Sequence, residues 1–199
     1  MPLKEQKRHE LPAKVTQRMD RHEFARQYQA IHRQLWLVAA GMIGNRSDAD
    51  DIVQEAAIVA FRKLSEFRAG SSFSAWVTEI VRRCALNHRR KNVRRQTFAT
   101  APSQLDEQLG PRAARNIDTS QGLAAMEAEI DDAMFRVLKQ LPEEACCCLL
   151  LRIIDGLPYA RISEMLGIPE GTVLSHVHRS KKFARDRLSQ TSPAEGRQP

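Results

Sequence analysis

The chain has 199 residues and a mass of 22.6 kDa, which is room for one medium domain or two small ones. Lys plus Arg outnumber Asp plus Glu by 31 to 24, the pI is near 9.6 and 42% of residues are hydrophobic, so a real core and a polyanionic partner are both expected. No apolar run reaches the roughly eighteen residues of a membrane helix, and the start MPLKEQKRHELPAKV lacks a leader's apolar segment, so no membrane insertion and a cytoplasmic location are expected.

Residues 1–19 are polar, carry both signs of charge without a period and read as a disordered, basic lead-in. From Asp20 the spacing of Phe24, Tyr28, Ile31 and Leu35 predicts a long helix, widened by Trp36, Val38 and Met42 and broken at Gly44 and Asn45. The next segment opens with Ser47 and early carboxylates, where a helix amino end favours negative charge, and its inner stripe is Ile52, Ala56, Val59 and Leu64. Its other side carries Asp48, Asp51, Gln54 and Glu55, an acidic and amide face that suits either water or a protein contact. A third helix follows through SFSAWVTEIVRRCALNHRR, with Phe73, Trp76, Val77, Ile80 and Cys84 closing a three-helix core. It runs into Arg82, Arg83, Arg89, Arg90, Lys91, Arg94 and Arg95, a density that repels itself and asks for phosphate. Trp76 upstream fits two roles, a core anchor or a platform for an unstacked base.

Residues 96–121 mix Pro, Gly, Ser, Gln and charges and read as a flexible linker, with a short helical turn around Gln104 to Gln108. A second domain spans 122–188. Leu123, Met126, Ile130, Met134 and Leu138 predict one helix ending at Leu141-Pro142, and Cys146, Leu149, Leu150 and Ile153 the inner side of another that stops at Gly156. Tyr159, Ile162 and Leu166 then mark a short helix closed by Gly167, and Thr172 opens a last one with Val173 and Val177 inside. That is the form of a helix-turn-helix in a four-helix module. Ser175, His176 and Arg179 point outward, followed by Lys181, Lys182, Arg185 and Arg187, a face that suits a DNA major groove better than plain solvent. Residues 189–199 read as a flexible tail. The fold class is all-α, two small helical domains on a flexible linker.

Catalysis finds little support, because the histidines are scattered or sit among arginines and the carboxylates cluster at solvent-facing helix starts. Cys146, Cys147 and Cys148 are adjacent, so on a helix they diverge by about 100° each and cannot converge on one ion. With Cys84 they read as buried small hydrophobes in a reducing compartment, with a redox-sensitive or metal-responsive role as the alternative. Neither a metal nor a cofactor is expected.

The stretches DADDIVQEAAIVAFRKL, FRAGSSFSAWVTEIVRRCALNHRR, LPEEA and GLPYARISEMLGIPEGTVLSHVHRSKKF stand in this order across most of the chain. Together they resemble a bacterial RNA polymerase sigma factor of the sigma-70 type, in the extracytoplasmic-function (ECF) group that keeps only a region 2 and a region 4 domain. The resemblance implies a subunit that binds core RNA polymerase and directs initiation at promoters, with region 2 at residues 20–95 and region 4 at 122–188. It implies that Asp48, Asp51, Gln54 and Glu55 dock on the polymerase. Trp76, Arg83, Asn87, Arg89, Arg90, Lys91, Arg94 and Arg95 would handle the melted non-template strand of the minus 10 element. Thr172, Ser175, His176, Arg179 and Lys182 would meet the minus 35 duplex, and an anti-sigma factor is a further candidate partner.

The chain departs from the family pattern at Arg83, Arg161, Ser163 and the run Leu174, Ser175 and His176. Its upstream base preference therefore does not follow from relatives. Two rival readings compete with the resemblance, a helix-turn-helix regulator working without polymerase and a non-catalytic protein adaptor.

Overall fold

The computed structural model describes residues 19–98 and 132–191, and every regular element among those residues is a helix. The lead-in before residue 19, the turn expected at Gln104 to Gln108, the stripe residues Leu123, Met126 and Ile130, and most of the tail lie outside them.

Three helices come first: α1 (Arg21–Ile43), α2 (Arg46–Arg62) and α3 (Phe73–Phe98). Asp20 caps α1 by accepting from the Glu23 backbone N–H at 2.7 Å, and Gly44 closes it in the left-handed conformation, φ 67°. α2 starts one residue earlier than Ser47 suggested, with Asn45 at the cap position and no side-chain capping bond. Its buried side is Ala49, Ile52, Val53, Ala56 and Ala60, so Val59 and Leu64 are at the edge of the core, not in it. Tyr28 ties α1 to α2, its hydroxyl donating to the Val53 carbonyl at 2.7 Å inside the core. The loop before α3 carries Phe67, whose ring meets Phe73 edge-on at 5.6 Å.

Four more helices follow: α4 (Asp132–Leu138), α5 (Glu143–Ile153), α6 (Tyr159–Leu166) and α7 (Glu170–Thr191). Pro142 stands at the cap of α5, where its missing N–H has no bond to lose. Gly167, φ 68°, ends α6 as expected, and the Ser163 hydroxyl holds the turn by donating to the Ile168 carbonyl at 2.7 Å. The last helix opens at Glu170, two residues before Thr172, because the Thr172 and Val173 N–H groups already bond to Pro169. Val173 and Val177 are buried, as their spacing predicts.

The stripe read on α5 needs correcting. Ile153 is 50% exposed, while every residue from Ala145 to Leu151 is buried. A helix apolar all round must have partners all round, and α5 packs on α6 and α7 as well as on α1. The two halves of the chain thus share one continuous core, which joins Trp36 and Val38 to Cys147, Leu151 and Ile162.

Candidate nucleic-acid and protein interfaces

α2 turns a polar stripe outward. Asp51, Gln54 and Glu55 are exposed, and Ile58 and Phe61 continue the same line of the helix at 40% and 41% exposure. Asp48 belongs less clearly to that face: it is half-buried and lies 3.4 Å from His88 Nε2 of α3. Asp50 turns inward, accepting from the Trp36 indole N–H at 2.6 Å, and so fixes the acidic helix on α1.

At about 100° per residue, Trp76, Arg83, Asn87, Arg90 and Arg94 fall within about 60° of one another on α3. The stripe they form runs about 27 Å from the ring to the last guanidinium, at 1.5 Å per residue. Arg83, Asn87, Arg90 and Arg94 are exposed, with Arg83 paired to Glu79 at 3.0 Å. Lys91 and Arg95 lie to one side and are exposed too. Trp76 is half-buried, its ring 5.1 Å from Phe67 and 5.9 Å from Phe73, so it serves as a core anchor with one side left open. Arg89 departs from the expected set. It is turned about 140° from Trp76 and pairs with Glu143 at the start of α5.

On α7, buried Val173, Val177 and Ser180 define the inner side. Ser175 and Lys182 sit opposite, with exposed His178 and Arg179 on either flank. Thr172 and His176 are only half-exposed, so His176 is less well placed for a base edge than its spacing from Ser175 suggested. The residues missed from sequence are His178 and Leu174, the latter 52% exposed beside Ser175. A helical projection centred on the two valines would have found His178. Leu174 reads as core by residue type, and only the packing shows it outside.

All four cysteines are free and buried. Burial pushes the Cys84 thiol up to about 11 and those of Cys146 and Cys148 to about 12, and it raises the Cys147 thiol well above its ordinary value, so none is a ready thiolate. Among the described residues no group of three or more His, Cys, Asp or Glu is arranged to hold a metal ion.

Residues 27–95 match the family model Sigma-70 region 2, and residues 131–183 match Sigma-70, region 4. The RNA polymerase sigma-H factor of Pseudomonas aeruginosa is 31% identical over 152 residues, covering 76% of this chain and 78% of that one. The chain belongs to the sigma-70 family. Its ECF group is shown by the ECF RNA polymerase sigma-E factor of Escherichia coli, 32% identical over 136 residues, 68% of this chain and 71% of the relative. Two solved structures share the fold. The sigma factor RpoE of Bartonella quintana, in complex with the anti-sigma factor NepR, aligns at TM-score 0.57 and 19% identity over 85% of this chain and 99% of its own. CnrH, in complex with the cytosolic domain of CnrY, aligns at 0.51 and 17% over 87% and 92%. The chain is therefore a sigma factor for promoter-specific initiation, and membership favours neither a polymerase-independent regulator nor an adaptor. Among the described residues no helix is long and apolar enough to cross a membrane.

Proposed function

We propose that this sigma factor docks on core RNA polymerase through the outer face of α2 and reads two promoter elements with α7 and α3. Asp51, Gln54 and Glu55 supply the docking face, Asp48 stands at its margin, and Ile58 gives it an apolar anchor. Ser175, His178, Arg179 and Lys182 enter the major groove of the minus 35 duplex, with Leu174 against a thymine methyl and Thr172 and His176 at the edge. Trp76, Arg83, Asn87, Arg90 and Arg94 follow the unpaired non-template strand of the minus 10 element, and Lys91 and Arg95 hold flanking phosphates. On this reading region 2 spans 20–95 and region 4 spans 122–188.

The observation that carries the proposal is the segregation of charge on neighbouring helices. α2 faces outward with carboxylates and α3 with a line of guanidinium groups, so one helix suits a protein and the next a polyanion. The chain has no chemistry of its own to perform: the polymerase makes the bonds, and the strands opened at initiation are held by stacking and phosphate contacts. It works where the polymerase works, in the cytoplasm. The structural neighbour in complex with the anti-sigma factor NepR supports an anti-sigma partner here as well.

Run-off transcription from genomic fragments tests the reading, with core polymerase and with or without the chain. Specific transcripts that need the added chain are expected. Transcripts independent of it would refute the proposal.

A further inference from the structure

The exposed line on α3 is not uniform along its length. Trp76 and Asn87 are uncharged, and Arg83 pairs through its Nε–H with Glu79 Oε1 at 3.0 Å, so the first half of the line carries no net charge. Arg90 and Arg94 follow, with Lys91 and Arg95 beside them, and the sequence of α3 has no acidic residue after Glu79. The phosphates of a strand laid along this line settle on its second half, and the first half is left to bases.

Glu79 is the member that phosphate binding does not explain. A carboxylate on a helix that meets a polyanion repels it, and an exposed ion pair returns little stability. Both side chains are well exposed, 71% for Arg83 and 52% for Glu79. Glu79 lies about 40° round the helix from Arg83 and one turn before it, the favoured order for such a pair. Its effect is to set the guanidinium. Arginine carries five N–H donors in a rigid fork, and Glu79 takes the one on Nε. Among the described residues nothing else bonds to the Arg83 guanidinium, so its two terminal nitrogens remain as an end-on pair of donors.

Two parallel donors select one base. Guanine has two adjacent acceptors, O6 and N7, on the edge away from its sugar and its pairing face. Adenine sets an amino donor beside N7, cytosine offers a donor, and thymine offers a single acceptor. We propose, resting on the strand reading of α3 above, that Glu79 and Arg83 form one unit that reads an unpaired guanine in the non-template strand. Arg83 makes the specificity-determining contact. Glu79 is a positioning residue that aims the fork and keeps a phosphate from occupying it.

The test is fluorescence anisotropy of the holoenzyme on labelled non-template oligonucleotides from a promoter that it transcribes, with each position in turn carrying each of the four bases. In the wild type one position should prefer guanine by about fivefold or more, the low end for a bidentate arginine contact, and 7-deazaguanine there should lose most of that preference. Arg83→Lys keeps the charge but not the fork, so it should abolish both the preference and the effect of 7-deazaguanine while the other positions keep theirs. Glu79→Ala should lose the preference too. It should also bind scrambled strands more tightly and steepen the salt slope by about 0.7, because the released guanidinium takes a phosphate. A pair that only stabilised the helix would move neither base preference nor slope.

A guanine preference that survives Arg83→Lys would overturn the unit, as would Glu79→Ala with preference and slope both unchanged. If no position prefers guanine while Arg90→Ala still weakens binding, the strand reading stands and the unit alone falls. If Arg90→Ala and Arg83→Lys both bind every oligonucleotide like the wild type, the strand reading itself fails and the unit falls with it.

Discussion

Arg90 and Arg94 lie one turn apart on the exposed stripe of α3, and replacing both with alanine tests whether that stripe holds a single strand. Each arginine that neutralises a phosphate of single-stranded DNA adds about 0.7 to the slope of log affinity against log salt. Losing two should flatten the slope by about 1.4, so between 50 and 200 mM salt the defect of the double variant should shrink about sevenfold. Arg83→Ala should do less, since Glu79 at 3.0 Å already offsets much of its charge. Trp76→Ala should act differently again. Lost stacking is worth about 1–3 kcal/mol per base and carries no counterion release, so affinity should fall with the slope unchanged. Half-burial against Phe67 and Phe73 puts Trp76 at the lower end of that range, because only part of the ring is open to a base. The assay is fluorescence anisotropy of the holoenzyme on a labelled non-template oligonucleotide from a promoter that it transcribes, titrated across this salt range. Weaker binding of the double arginine variant with a slope parallel to the wild type would refute phosphate contact at these positions.

Asp51→Arg should weaken binding to core polymerase at least tenfold with little change in melting temperature, because the residue is exposed; unchanged affinity in a pull-down with purified core would remove it from the docking face. His178→Ala and Leu174→Ala should each change base preference within the upstream element, the latter by about 1 kcal/mol at one thymine, whereas half-buried His176→Ala should shift it less; sequence selection with the holoenzyme would show the reverse order if the outer face is misassigned. Burial lowers the His32 pKa, with Asp50 opposing, so the unfolded chain takes a proton near pH 6.5 before the folded one does. Stability should therefore fall as pH drops below about 6.5, and His32→Gln should flatten that fall; identical melting profiles from pH 7.5 to 5 would contradict it.

Much of this arrangement is legible in the sequence because local rules act alone there. Asp20, Gly44 and Gly167 set helix ends through their own conformations, and Val173 and Val177 mark an inner side by spacing. The misplacements have a common cause. Ile153 and Leu174 are apolar and at helical spacing, yet both are half-exposed, because a small module does not have enough core to cover every apolar side chain. Arg89 sits in a run of identical charges, and nothing in that run says which arginine meets a carboxylate from residues more than fifty positions away.

Cys146, Cys147 and Cys148 show the same limit from the other side. Their small apolar character announces burial, and they are buried. Periodicity could not say against what, since an amphipathic pattern identifies one buried face and this helix has no free face at all between Ala145 and Leu151. The clue lay in α1, where Gly41 interrupts an otherwise apolar helical run. A glycine at such a position makes sense only if another backbone comes close, and here that backbone is Cys147. Surplus burial on two helices and a glycine at their crossing together mark a backbone-to-backbone contact between the two halves of the chain, which periodicity within either half cannot show.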